Sequence, residues 1–171
     1  MLRNQLIYNL DLDNDTNKRF EDNFYVGKGV AYGLDLSVLK TFGPLSADLN
    51  YSFARSFRSY PAIMSGEWFR DKNDRIHDLK LQVNRKLSHR WDCSLVWVYA
   101  TGNTMTLPAG RWWMMGSVMN DYAGVNNIRL PAYHRLDIAA NCRLNSKRLK
   151  ESVLSLSLIN VYNRSNPYFL R

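Results

Sequence analysis

His77 lies between Asp74 and Asp78, and an imidazole close to two carboxylates is the raw material of general-base catalysis or a metal site. Both chemistries need convergent side chains, whereas on extended backbone His77 and Asp78 point to opposite faces. The expected role of His77 is a hydrogen bond at the rim of a barrel lumen or one that anchors a loop. His134 follows Pro131 and Tyr133 at the start of a strand and His89 sits in a basic turn, neither with a visible partner. Cys93 and Cys142 form neither a disulfide scaffold nor a CxxC zinc pattern. Both fall on the apolar rows of neighbouring strands, so a cross-strand disulfide stays open, with small apolar-face residues the preferred reading. There is no GxSxG elbow, phosphate loop or HExxH string. No enzyme, cofactor or metal is expected. One further cluster could bind: Arg111, Trp112, Trp113, Met114, Met115, Met119 and Tyr122 crowd into the stretch 107–125. Large apolar groups in a loop often mark a binding surface. Contact with a ligand and inward folding of this loop are both open.

The elements that would position these residues are strands. The chain has 171 residues, 46% hydrophobic and 22% charged, which suits one folded domain and excludes collagen, coiled-coil and low-complexity classes. Its longest apolar run, Leu95 to Ala100, falls far short of the roughly 18 residues of a membrane-spanning helix. The first five residues lack the pattern of a secretory signal peptide. Strict alternation recurs where no 3.6-residue stripe persists. Val30, Tyr32, Leu34, Leu36 and Val38 form one apolar row, and Leu45, Ala47, Leu49, Tyr51 and Phe53 the next. Leu79, Leu81 and Val83 follow, then Trp91, Cys93, Leu95, Trp97 and Tyr99. Leu136, Ile138, Ala140 and Cys142, and lastly Leu154, Leu156 and Leu158, complete the set. With a frayed first strand over 5–10, the reading is seven antiparallel strands, and all five prolines lie outside strand interiors.

The connections alternate in length. Short turns are predicted at Gly43-Pro44, 87–90 and 145–150, and long structureless excursions at 11–23, 56–75 and 103–131. Short periplasmic turns and long extracellular loops mark up-and-down transmembrane barrels, whose strands alternate lipid-facing and lumen-facing side chains. A soluble barrel has the same alternation with the faces reversed. Aromatic placement favours the membrane version. Trp91 lies near a short turn, and Trp97 and Tyr99 lie six to eight residues on toward a long loop, on the same face. At ~3.3 Å per residue and a tilt of about 40°, that is roughly 15 to 20 Å along the membrane normal. Phe42 joins Trp91 in one interfacial belt, and Tyr51 and Phe53 join the other. The net charge of +8 is also polarised. Arg85, Lys86, Arg90, Lys147, Arg148 and Lys150 cluster at two short turns, while Asp11, Asp13, Asp15, Glu21 and Asp22 make the first long loop acidic. Basic residues on turn tips, rather than along a groove with interleaved aromatics, argue against nucleic acid as a partner.

Four strings can then be compared with a family. They are Gly27-Lys28-Gly29-Val30-Ala31-Tyr32-Gly33-Leu34-Asp35-Leu36; Gly66-Glu67-Trp68-Phe69 with Asp74-Arg75-Ile76-His77-Asp78; Arg90-Trp91-Asp92 with Trp97 to Asn103; and Asn160 to Tyr168. In order and spacing the chain, from about Gln5 to Leu170, resembles the C-terminal portion of the β-barrel of TonB-dependent outer-membrane receptors. Ile76 departs from the family's usual Asp-Arg-Arg-His-Asp, and no role is assigned to it. The resemblance implies an importer in the outer membrane of a Gram-negative cell, with a barrel of about 22 strands closed by a plug domain. It would bind an extracellular nutrient such as a siderophore, vitamin or glycan. Its implied partners are outer-membrane lipid, the remainder of the barrel and plug, and the inner-membrane TonB complex reached through an N-terminal region. Residues 1–171 would then be a partial barrel, an open curved sheet when isolated and truncated at both ends. The other readings are a soluble β-barrel or sandwich for a small apolar ligand, and a passive porin.

Overall fold

The computed structural model describes residues 2–8, 24–114, 117–122, 124–144 and 152–166. The strands are β1 (Leu2–Tyr8), β2 (Phe24–Lys40), β3 (Leu45–Ser59), β4 (Phe69–Arg70), β5 (His77–Lys86) and β6 (Trp91–Ala100). They continue as β7 (Thr104–Met105), β8 (Gly110–Met114), β9 (Ser117–Asp121), β10 (Ile128–Arg129), β11 (Tyr133–Leu144) and β12 (Ser152–Leu158). One sheet runs in the order β1-β2-β3-β5-β6-β11-β12, with β4 beside β3, and two small sheets pair β7 with β10 and β8 with β9. The all-β, antiparallel expectation holds, and the sheet is open, since β1 and β12 are its outer strands.

Two compact units divide the chain, one of residues 1–33, 54–75 and 103–130, the other of 34–53, 76–102 and 131–171. In the second unit register does the organising. Ala47 faces Val83, Val83 faces Leu95, Leu95 faces Ile138 and Ile138 faces Leu158, an apolar rung across five strands. The next rung toward the long-loop ends runs Leu49, Leu81, Trp97 and Leu136. Because side chains alternate, slipping any strand by one residue would put its apolar row among the polar groups of its neighbours. The turns keep that register. Gly43, at φ +79°, takes the left-handed conformation open to glycine, and Lys86 N–H donates to Pro44 O across 2.8 Å. Between β5 and β6, Leu87 N–H donates to Trp91 O at 2.9 Å, while Ser88 Oγ accepts from the N–H groups of Arg90 and Trp91.

The first unit holds most of the small buried core. Tyr60 and Phe69 stack with ring centroids 6.0 Å apart, and Ser59, Asp71, Asp74 and Thr104 are buried with them. In the second unit, among the described residues, Ala100 is the buried hydrophobic.

Several boundaries differ from those predicted. The first strand is Leu2–Tyr8 rather than 5–10, and β2 begins at Phe24 rather than Val30. Gly27 and Gly29 interrupt the alternation in sequence, yet they pair with Gln5 and Leu2 on β1. β3 runs on to Ser59 because Phe57 and Arg58 pair with β4. The excursions over 56–75 and 103–131 are not structureless, since they carry β4, a 3-10 turn at Met64–Gly66 and strands β7 to β10. The predicted loop 11–23 and turn 145–150, with Met115, lie outside the described residues.

Gly27 is held by close approach. A Cβ there would meet the Tyr60 ring and stand 2.5 Å from Ser59 O, whereas at Gly29 the nearest atoms would be an ordinary 3.5 Å away. Gly27→Ala is therefore expected to cost about 1–3 kcal/mol in urea unfolding followed by tryptophan fluorescence, with Gly29→Ala close to wild type.

Candidate functional site: a two-faced sheet with a pinned loop cluster

The second unit separates its chemistry by face. On the polar face Ser52 Oγ donates to Asp35 Oδ1 at 2.5 Å, Ser37 Oγ to Asn50 Oδ1 at 2.8 Å, and Asn50 Nδ2 to Asp48 Oδ1 at 2.8 Å. The same face carries the ion pairs Arg135–Asp137 at 2.9 Å and Arg143–Asp92 at 3.6 Å, and Asn141 Nδ2 donates to Asp92 at 2.7 Å.

The opposite face is apolar and crossed by an aromatic band. Phe53 pairs with His77, Tyr51 and Tyr99 both pair with Leu79, and Tyr99 pairs with His134. Tyr51 Oη and His77 Nδ1 lie 2.9 Å apart, as do Tyr162 Oη and His134 Nδ1 at 2.8 Å. Trp97 and Tyr99 add rings 6.3 Å apart. His77 thus sits in the band, 5.7 Å from the Phe53 ring, on the face opposite the polar row that Asp78 joins. His77 ties the segment after β6 through its backbone, where Thr101 N–H donates to His77 O. Ile76 likewise contributes its backbone, donating to Thr101 Oγ1 at 2.8 Å. At the short-turn end Trp91 and Phe42 are exposed, and Lys40 Nζ lies 5.1 Å from the Phe42 ring centroid.

The string Asn160 to Asn166 closes against β11 with one backbone bond, Val161 N–H to Leu136 O at 2.8 Å, and otherwise with side chains. Asn160 and Asn163 both take positive φ, which asparagine tolerates. Asn166 Oδ1 accepts from His134 N–H at 3.1 Å while its Nδ2 donates to His134 O at 3.0 Å, so one amide replaces a paired strand residue.

Cys93 and Cys142 are both free. Cys93 stands opposite Ala140 and Cys142 opposite Trp91, which makes the two cysteines diagonal neighbours. Diagonal Cα atoms are about 7–8 Å apart, beyond the usual span of a disulfide.

In the first unit two carboxylates hold the loops. Asp74 is buried and accepts from Arg55 Nε at 3.3 Å, Ser56 N–H at 2.8 Å and Arg129 Nη2 at 2.5 Å. Arg129 also donates to the Asp74 carbonyl. Asp71 accepts from Arg58, and its backbone carbonyl accepts from Thr104 Oγ1 at 2.6 Å. Burial opposes the Arg58 charge, but hydrogen bonds to Tyr60 and Asp71 outweigh it and raise its pKa above the ordinary value. Asn126 Nδ2 reaches Arg70 O at 2.6 Å, so residues 70–74 are tied to both flanking excursions. With its lone pairs committed to guanidinium groups, this cluster is built to fix conformation rather than to take a proton from a substrate. No group of three or more His, Cys, Asp or Glu able to hold a metal occurs among the described residues.

Sequence reasoning missed this cluster because Asp74 finds its partners 19 and 55 residues away, at Arg55 and Arg129. The residues singled out for binding lie elsewhere in the same unit. Arg111, Trp112 and Trp113 are on β8, where Trp112 pairs with Met119 and Trp113 with Val118, and Tyr122 follows β9. Neighbouring residues of a strand face opposite ways, so the two tryptophans sit on the two faces of this hairpin. They are 66% and 74% exposed, and Arg111 and Tyr122 are exposed beside them.

Comparison with protein-family models, curated proteins and solved structures found no match.

Breaking a buried charge pair leaves the partner uncompensated. Asp74→Asn is expected to destabilise the chain by about 3–5 kcal/mol. Limited proteolysis should then cut within 60–76 and 103–130 faster than in the wild type.

Proposed function

We propose that this chain is part of the wall of an outer-membrane β-barrel importer, and that it is not an enzyme. One observation carries the reading: among the described residues no side chain of the apolar rows is buried. Leu34 is 64% and Leu156 69% exposed, and Leu36, Val38, Leu154 and Leu158 are exposed with them. Among the described residues the buried hydrophobics are Tyr60, Phe69 and Ala100, none of which belongs to these rows. A soluble barrel or sandwich would turn the same rows into its core. A bilayer accepts them as they stand, with the hydrogen-bonded polar face toward a wet lumen and the Tyr–His and Tyr–Trp band at the headgroup level.

On this reading the exposed hairpin β8–β9 meets the incoming nutrient, with Arg111, Trp112, Trp113 and Tyr122 as its contact groups. Phe42, Tyr51, Phe53, Trp91, Trp97 and Tyr99 form the interfacial belts. The resemblance to TonB-dependent receptors supplies the rest: a plug in the lumen and energy delivered through the inner-membrane TonB complex.

Leu81→Arg, in the middle of the apolar row, should cost about 2–4 kcal/mol when folding is measured into vesicles. Lys80→Leu on the opposite face should leave insertion intact. A chain that is monodisperse in buffer without detergent would overturn the membrane reading. Separately, Trp112→Ala with Trp113→Ala in the full-length receptor is expected to reduce ligand uptake, measured with labelled nutrient; unchanged uptake would remove the hairpin from the binding surface.

A further inference from the structure

The apolar rows of β3, β5, β6, β11 and β12 in the second unit carry one formal charge, Arg85. Its rung reads Leu45, Arg85, Cys93, Ala140 and Leu156, one step from the short turns. No carboxylate among the described residues pairs with it. The other two guanidinium groups at this end of β6 and β11 differ. Arg143 lies on the polar face with Asp92 as partner, and Arg90 belongs to the turn itself. An unpaired cation on a lipid-facing row is costly unless it snorkels toward the interface or meets an anion there.

Beside Arg85 lies an open groove of about 500 Å³. The short side chains of the paired Cys93 and Ala140 make the depression, and Val83, Leu95, Ile138 and Leu156 flank it. That volume falls in the range of small-ligand sites, roughly 300–1,000 Å³. Its lining is almost wholly apolar except for the guanidinium at one side. An occupant must therefore be an apolar chain that ends in an anionic group.

We infer that this groove holds an acyl chain of an anionic phospholipid, from the leaflet at the short-turn end, whose phosphate is bound by Arg85. The inference rests on the membrane reading proposed above.

The test is native mass spectrometry of the 171-residue chain refolded in detergent and offered equal amounts of phosphatidylglycerol and phosphatidylcholine. Wild type should retain phosphatidylglycerol about five-fold over phosphatidylcholine, as one basic side chain near an anionic headgroup implies. Arg85→Gln should abolish the preference and Arg85→Lys should keep it. Ala140→Leu, which fills the groove, should lower retention of both lipids. Lys86→Gln, on the opposite row, should change neither. Equal retention of the two lipids by a micelle-inserted wild type would overturn this inference alone, as would a preference unchanged in Arg85→Gln or a lipid-free dimer packed through this face. A chain that never enters micelles would overturn it together with the membrane reading.

Discussion

The two-faced character of the second unit depends on the register that joins β3, β5, β6, β11 and β12. Each strand carries one row of hydrocarbon and one row of hydrogen-bonding groups, and a pleated backbone sends them to opposite sides. Pairing Ala47, Val83, Leu95, Ile138 and Leu158 on a single rung therefore pairs the polar rows as well. The outcome is a sheet with two surfaces that suit different solvents. Stability within it comes from ladder hydrogen bonds and cross-strand contacts rather than from a hydrophobic interior, because among its described residues Ala100 is the buried hydrophobic.

The loop segments follow a different physical rule. They cannot rely on ladder bonds over their whole length, and they place two carboxylates where solvent does not reach. A buried carboxylate is tolerated only with paired charge and full hydrogen bonding. Arg55, Arg58 and Arg129 supply the charge, and the N–H groups of Ser56 and Asn73 complete the coordination. Long excursions are thereby held to one arrangement, from which the β8–β9 hairpin presents Trp112 and Trp113 to solvent.

Polar tips on the aromatic band belong to the same logic. Tyr51 with His77 and Tyr162 with His134 each join an apolar ring to a hydrogen bond. Such side chains are at home where hydrocarbon gives way to water, which is where strands of this length would emerge from a bilayer. Arg85 lies at the other end of the apolar face, set among apolar neighbours one rung from the turns.

Alternation and connection lengths determined the strand class, seven of the eight strands of the main sheet, their antiparallel order and the two faces, because a period of two is written directly in consecutive residue types. They also placed the short turn at Gly43, where backbone chemistry is local. The tertiary structure decided what depends on distant partners. β2 reaches back to Phe24 only because β1 offers ladder groups opposite Gly27 and Gly29. Asp74 becomes a loop anchor only when Arg55 and Arg129 arrive from other segments. His77 joins the aromatic face, and Cys93 and Cys142 stand as diagonal neighbours, because one residue of register sets each neighbour. Local pattern specifies the strands, but pairing energy between strands fixes which residues meet.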